Sequence, residues 1–280
     1  MQMAKPQLRA HLHYIELGSP DPEGLAGFYG DAFDMRVETS GDGWIGRGPE
    51  RILAFGQGPA GSLLSAGYAV DDPEALDSLA RRLSEAGVPV ARGETQIFSD
   101  GAVTFQDPDG NRIAFGTPRE VAAKVGPGLP ARLQHLVLSS ANASRLADFY
   151  TRIVGLRESD RVLDDEGGLR TTFMRSDHEH HSLAVFQAAK NRLDHHCYEA
   201  GDWNLIRDWG DRFAERHVPV KWGPGRHGPG NNLFLFINDP DENWVEISAE
   251  LEIVNETRPV GNWPHEERTL NKWGQAFLRS

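Results

Sequence analysis

His135, His195 and Glu246 are the residues of this chain whose types suit a catalytic metal. Two neutral imidazoles and one carboxylate form the facial triad of non-haem Fe(II) enzymes, which leaves the opposite face open for substrate and dioxygen. Fe²⁺ with one glutamate keeps a single positive charge, which a singly ionised catechol would neutralise. Taken one at a time, each residue also has an ordinary reading. His135 could be a strand-end histidine bonded to backbone, His195 half of a polar His-His pair, and Glu246 an exposed strand residue in Trp-Val-Glu-Ile. Their placement argues for the metal. Nine of the 11 histidines and six of the seven tryptophans follow residue 130, so the chemistry is expected in the second half.

The elements that must position the triad are set by an internal repeat. His13-Tyr-Ile-Glu-Leu-Gly-Ser, Leu25-Ala-Gly-Phe-Tyr-Gly and Met35-Arg-Val-Glu return as His135-Leu-Val-Leu-Ser-Ser, Leu146-Ala-Asp-Phe-Tyr-Thr and Leu156-Arg-Glu-Ser. Each set reads as a strand, a helix with Leu and Phe-Tyr on one face, and another strand. Further on, Pro73-Glu-Ala-Leu-Asp-Ser-Leu-Ala-Arg-Arg-Leu matches Trp203-Asn-Leu-Ile-Arg-Asp-Trp-Gly-Asp-Arg-Phe, and Asp107-Pro-Asp-Gly-Asn matches Asp239-Pro-Asp-Glu-Asn. The Asp-Pro turns are assigned a turn-forming role and no chemistry. The copies span 8–118 and 131–250, which places an N-terminal domain at 1–118, a linker with Gly126-Pro-Gly-Leu-Pro at 119–130, a C-terminal domain at 131–250 and a tail at 251–280. The expected fold is α+β, each half a curved mixed sheet with helices outside.

The repeat supplies its own control. His13 aligns with His135, Ala66 with His195 and Ala114 with Glu246, so only the second copy holds the full ligand set. All three positions fall on expected strands, where one side of a curved sheet could collect them.

Composition narrows the setting. With 29 Lys and Arg against 41 Asp and Glu, the net charge is −12, which disfavours nucleic acid or an anionic membrane as partner. One cysteine, Cys197, allows no intrachain disulfide and suits a reducing compartment. The start of the chain has no signal-peptide core and no apolar run is long enough to span a membrane, so the expected location is cytoplasmic.

Five motifs carry a likeness to a known family: Gln134-His135-Leu-Val-Leu, His180-His181-Ser-Leu-Ala-Val, Leu193-Asp194-His195, Gly225-Arg-His227-Gly-Pro-Gly, and Asp239-Pro-Asp-Glu-Asn-Trp-Val-Glu246. With them the chain resembles, over nearly its whole length, the type I extradiol ring-cleavage dioxygenases of the vicinal oxygen chelate superfamily. The resemblance implies two tandem domains, each of paired βαβββ modules around a chamber, with the metal site in the second only. It implies Fe(II), with Mn(II) as an alternative, on His135, His195 and Glu246, and a catecholic substrate with O₂. His181 takes the role of acid–base residue. Its distance of fourteen residues from His195 is one short of the pattern, which keeps His180 in play at the substrate. His227 would hydrogen-bond the substrate and Phe173 would wall the pocket; a polar His178-Glu-His180-His181 loop, a turn histidine and a core Phe are the plainer readings. Relatives of this kind are often homo-oligomers. Two departures stand out. Phe236 occupies a place where Tyr is expected, nine residues after His227 and ten before Glu246, and Glu242 replaces a turn glycine.

Other signals are weaker. Gly41-Asp-Gly43-Trp-Ile-Gly46 fits a dinucleotide pattern, but a strand rather than a helix follows it, so it is expected to form a hairpin. The Gly223–Gly230 stretch lacks the Lys-Ser/Thr of a P-loop, Cys197 reads as packing, and no Gly-x-Ser-x-Gly elbow is present. The alternatives are a non-oxidative isomerase or lyase using Mn²⁺, Ni²⁺ or Zn²⁺ on the same triad, and a binding protein for a small aromatic.

Overall fold

The computed structural model describes residues 8–120, 126 and 128–276. Within the expected linker, residues 121–125 and 127 lie outside the described residues.

The first half runs β1 (Ala10–Ser19), α1 (Pro22–Ala32), β2 (Arg36–Ser40), β3 (Gly43–Gly48), β4 (Arg51–Gln57), then β5 (Ser62–Val70), α2 (Glu74–Glu85), β6 (Val90–Gly93), β7 (Ala102–Gln106) and β8 (Arg112–Gly116). The second repeats it: β9 (Arg132–Ser140), α3 (Ala143–Asp148) continued by a π-helical turn (Phe149–Val154), β10 (Arg157–Leu163), β11 (Leu169–Arg175), β12 (Leu183–Gln187), then β13 (Arg192–Gly201), α4 (Trp203–Glu215), β14 (Trp222–Arg226), β15 (Leu233–Asn238) and β16 (Trp244–Ala249). Each half is thus two βαβββ modules. The tail adds β17 (Gly261–Pro264) and α5 (Glu267–Leu270).

Two mixed sheets result, ordered β2-β3-β4-β1-β5-β8-β7-β6 and β14-β15-β16-β13-β9-β12-β11-β10-β17. In each, the first strands of the two modules run antiparallel at the centre, β1 with β5 and β9 with β13. The tail strand β17 pairs in parallel with β10 and extends the second sheet. The glycine pattern near residue 41 is a hairpin: Gly41 turns between β2 and β3 at φ 61°.

The helices form where apolar spacing and caps coincide. Leu76, Leu79 and Leu83 on α2, and Ile206, Trp209 and Phe213 on α4, are buried at three- and four-residue intervals. Asp21, Asn142 and Asp202 cap α1, α3 and α4 by accepting from backbone N–H groups of the first turn. The helices of both halves share one apolar core, in which Phe33 packs on Trp209 and Phe213, and Phe105 on Phe149. The two Asp-Pro turns close alike, yet Gly110 sits at φ 90° and Glu242 at φ 62°, a conformation that costs a side-chain-bearing residue more than glycine.

The register corrects the repeat alignment. Leu12 pairs with Tyr68 and Tyr14 with Gly67, so His13 is skipped; likewise Leu133 pairs with Tyr198 and His135 with Cys197, so Gln134 is skipped. Gly67 in turn meets Ala114, and Cys197 meets Glu246. The structural counterparts of His135, His195 and Glu246 are therefore Tyr14, Ser65 and Ala114. Aligning His13 with His135 and Ala66 with His195 slips each by one residue, because like residue types, His13 for His135 and Leu64 for Leu193, drew the match while strand pairing sets the register.

Candidate metal centre

β9, β13 and β16 lie side by side, and their register puts His135, Cys197 and Glu246 in one row. Neighbours in a row share a face, as do residues two apart along a strand, so His195 joins them. His135 Nε2 and His195 Nε2 each lie 3.3 Å from Glu246 Oε2. All three side chains are buried.

The bulges do more than shift register. Gln134 and Asp194 are the two residues that the β9–β13 pairing skips on the site side. A bulge re-aims its side chain, and here each one turns to the histidine that follows. Gln134 Oε1 lies 2.5 Å from His135 Nδ1, and Asp194 Oδ1 lies 2.7 Å from His195 Nδ1. The Gln134 amide nitrogen donates to the His181 carbonyl at 2.6 Å, so its oxygen is the end that accepts. Since these oxygens only accept, each Nδ1 carries the proton and each Nε2 lone pair is directed inward, the tautomer that a metal requires.

Charge and burial compete within the cluster. Burial pushes Glu246 up, but His135, His195 and His227 outweigh it and hold the carboxyl well below its usual range. Burial prevails at His135 and lowers it, against the pull of Glu246. At His195 burial also acts downward, yet Asp194 and Glu246 together raise the ring above its ordinary value. Asn232 Nδ2 donates to Glu246 Oε1 at 3.2 Å. Cys197 brings a donor atom within 4.8 Å of those of His135 and Glu246. Its thiol is pushed well up by burial and by Glu246, so it offers a poorer ligand than a histidine whose tautomer is already set.

His181 rests against His135 with ring centroids 4.3 Å apart, and meets the edge of Phe173 at 5.1 Å. Burial, then His135 and His180, push its pKa well below the usual histidine value. The expectation that His180 touches substrate is not met. His180 lies in a bend before β12 and does not line the cavity. Its Nδ1 lies 3.0 Å from His181 Nδ1 and its Nε2 3.0 Å from Asp160 Oδ2. Asp160 also accepts from Arg258, Trp263 Nε1 and the Gly261 N–H. Burial pushes the Asp160 carboxyl up, but the bonds from His180 and Arg258 prevail and hold it at about 2.

A cavity opens over the triad, walled by Phe173, His181, Phe186, Trp222, His227 and Phe236. Phe236 stacks on Trp222 at 5.2 Å and meets His195 edge-on at 5.3 Å. His227 Nδ1 donates to the Leu270 carbonyl of the tail, while its Nε2 is 3.6 Å from Glu246 Oε1. The structure therefore brings His135, His195, Glu246, His181, His227, Phe173 and Phe236 to one cavity and leaves His180 behind it. Sequence reasoning missed Gln134, Asp194, Asp160 and the tail residues on the outer wall. A polar residue directly before each ligand histidine was the available signal for the first two.

The sequence pattern of the glyoxalase/bleomycin resistance protein/dioxygenase superfamily matches residues 11–115 and again 132–247. The chain is 28% identical over 228 residues to metapyrocatechase 2 of Cupriavidus necator, covering 71% of this chain and 70% of that one. It is 29% identical over 273 residues to biphenyl-2,3-diol 1,2-dioxygenase of Paraburkholderia xenovorans (strain LB400), covering 88% and 87%. The crystal structure of homoprotocatechuate 2,3-dioxygenase from Arthrobacter globiformis superposes with a TM-score of 0.83 at 23% identity, covering 98% of this chain and 92% of that one, which is a likeness of fold. Two matches of one superfamily pattern, one to each half of a doubled βαβββ fold, establish that the chain belongs to the glyoxalase/bleomycin resistance protein/dioxygenase superfamily.

Proposed function

We propose that this protein is an Fe(II)-dependent ring-cleaving dioxygenase, which opens a catechol-type ring beside its diol with both atoms of O₂. The observation that carries this reading is the convergence of two tautomer-set histidines on one Glu246 oxygen at the base of an aromatic-walled cavity. Relatives named as aromatic-diol dioxygenases support it. His135, His195 and Glu246 would hold the ion, with Mn(II) as the alternative. When bound, it supplies Lewis acidity for the diol and a path for electrons to O₂.

The chain's own residues do the rest. Asp160 only accepts, so the His180 proton facing it sits on Nε2. In the neutral ring, Nδ1 of His180 then accepts from His181 Nδ1–H, leaving His181 Nε2 bare for the cavity. A neutral His181 takes the proton from a diol hydroxyl as substrate seats, and returns it as the ring opens. His227, fixed by the Leu270 carbonyl, holds a substrate oxygen with Nε2. Phe173 and Phe186 bound the ring and exclude water. Phe236 offers no hydroxyl, so substrate binding there rests on apolar contact.

Oxygen uptake with a simultaneous visible scan, on anaerobically Fe(II)-loaded protein and a panel of catechols, tests the reading. Stoichiometric uptake with a yellow product is expected. No uptake from any diol, with iron confirmed bound, overturns it. The reading would then pass to a non-oxidative isomerase or lyase on the same triad, which the superfamily's glyoxalase members and the missing hydroxyl at Phe236 favour.

A further inference from the structure

The composition of the cavity wall goes beyond its shape. Val137, Val162, Phe173, Phe186, Trp222 and Phe236 give it an apolar lining above the triad, with Thr171, Asn232 and Thr269 as neutral polar members. Among the described residues that line it, none is Lys or Arg, and the acidic groups are Glu246 at the base and Glu266 at the exposed mouth. The lining histidines are drawn to other groups, His227 to Glu246 Oε1 and the Leu270 carbonyl. His135 and His195 face Glu246, and burial and the nearby Arg170 lower His265. Of the cations near the wall, Arg258 is engaged by Asp160 and Glu252, Arg226 by Glu250, and Lys272 by Asn231 and the Trp263 ring, while Arg170 stands beside His265 outside the lining.

A carboxylate on the ring substituent would lose its water against this wall and find no lysine or arginine there, while an ion held by the triad would be taken up by the diol. An alkyl or aryl group would instead exchange water for aromatic contact. We infer that the cavity is built for vicinal diols whose ring bears an uncharged, apolar substituent, and that it rejects diols bearing a carboxylate. This inference deepens the dioxygenase reading and rests on it for the diol.

The test compares 3-methylcatechol and 3-phenylcatechol with 3,4-dihydroxybenzoate and 3,4-dihydroxyphenylacetate on the Fe(II)-loaded protein. Two readouts are taken: kcat/KM from oxygen uptake, and Kd from anaerobic calorimetric titration. A preference of about 100-fold for the apolar diols is expected in both. A preference of tenfold or more sustains the inference; a smaller or reversed one overturns it. Should no diol be consumed, the dioxygenase reading fails, and the titration alone still decides the substituent question on the same threshold. Glu266→Lys, an exposed change at the mouth, is expected to narrow the gap at least threefold by raising the affinity of the carboxylated diols. An unchanged gap would also count against the inference.

Discussion

The two halves share one framework and differ in what stands on it. Where the second sheet presents His135, His195 and Glu246, the first presents Tyr14, Ser65 and Ala114. Where Cys197 lies beneath the triad, the first half has Gly67, whose place admits no side chain: a Cβ there would come 2.0 Å from the Tyr14 ring and 2.7 Å from Phe98. Both sheets keep the same two bulges, yet the skipped residues are His13 and Leu64 in one and Gln134 and Asp194 in the other. In place of His181 stands Arg51, whose guanidinium donates to the carbonyls of Phe33, Leu129 and Ala131 and ties the halves together. The difference teaches that the fold provides a bulge beside each of the two histidine positions, and that only the second half places there a polar residue bonded to the histidine that follows.

The comparison breaks most sharply on metal content. Glu246→Ala is expected to reduce bound metal from one per chain to none and to lower turnover by at least a thousandfold, read by elemental analysis and oxygen uptake. A second equivalent of metal in the wild type would mean that the first half is not vacant of ligands after all. Next, Asp194→Ala should weaken metal binding by about 10–100-fold, whereas Leu64→Ala at the matching bulge should leave it unchanged. Competition against a chelator measures both.

Acidification probes the same bond. Asp194 and Glu246 raise His195, so its protonated form persists to higher pH, and that proton must leave before Nε2 can bind metal. Metal affinity should fall as the pH drops through that raised value, and a flat affinity between pH 5 and 8 would count against His195 as a ligand. Asp160→Asn, which frees the His180 tautomer, should lower kcat about tenfold and reshape the pH profile while KM and metal content hold. A matching loss in KM or metal content would reduce Asp160 to a structural role. The smallest effect is expected at the junction of the halves: Tyr29→Phe and Tyr150→Phe should each cost about 1–2 kcal/mol in denaturant unfolding, with metal content intact.

Much of this could be read from the chain. The paired modules, the helices on leucine and tryptophan spacing, and the residues of the triad all have sequence signatures, because side-chain period and residue type determine them. What escaped depended on register and on distance in space. Strand pairing leaves no compositional mark, so His13, a histidine like His135, drew the alignment that belongs to Tyr14. Strand β17 is too short and polar to announce that it will pair with β10, and Asp160 gains its meaning only from His180, Arg258 and Trp263, which are remote in sequence. The Asp-Pro turns, given no chemistry, proved to have a task. Asp107 Oδ2 accepts from Tyr150 of the other half at 2.8 Å, and Asp239 Oδ2 accepts from Tyr29 at 2.9 Å.

Those two contacts are one contact made twice. Tyr29 and Tyr150 hold equivalent places after β1 and β9, and Asp107 and Asp239 open equivalent turns, so the tyrosine of each half reaches the aspartate of the other. Arg82 and Arg212 behave alike: the first donates to the Ile153 and Val154 carbonyls across the junction, the second to Asp31 and Asp34. Such reciprocity is the mark of an isologous interface, in which two copies of one surface meet about a twofold axis. Two separate copies of one gene product must change together. Joined in a single chain, they can diverge, so one copy can shed its ligands and serve as a rigid partner while the other carries the chemistry.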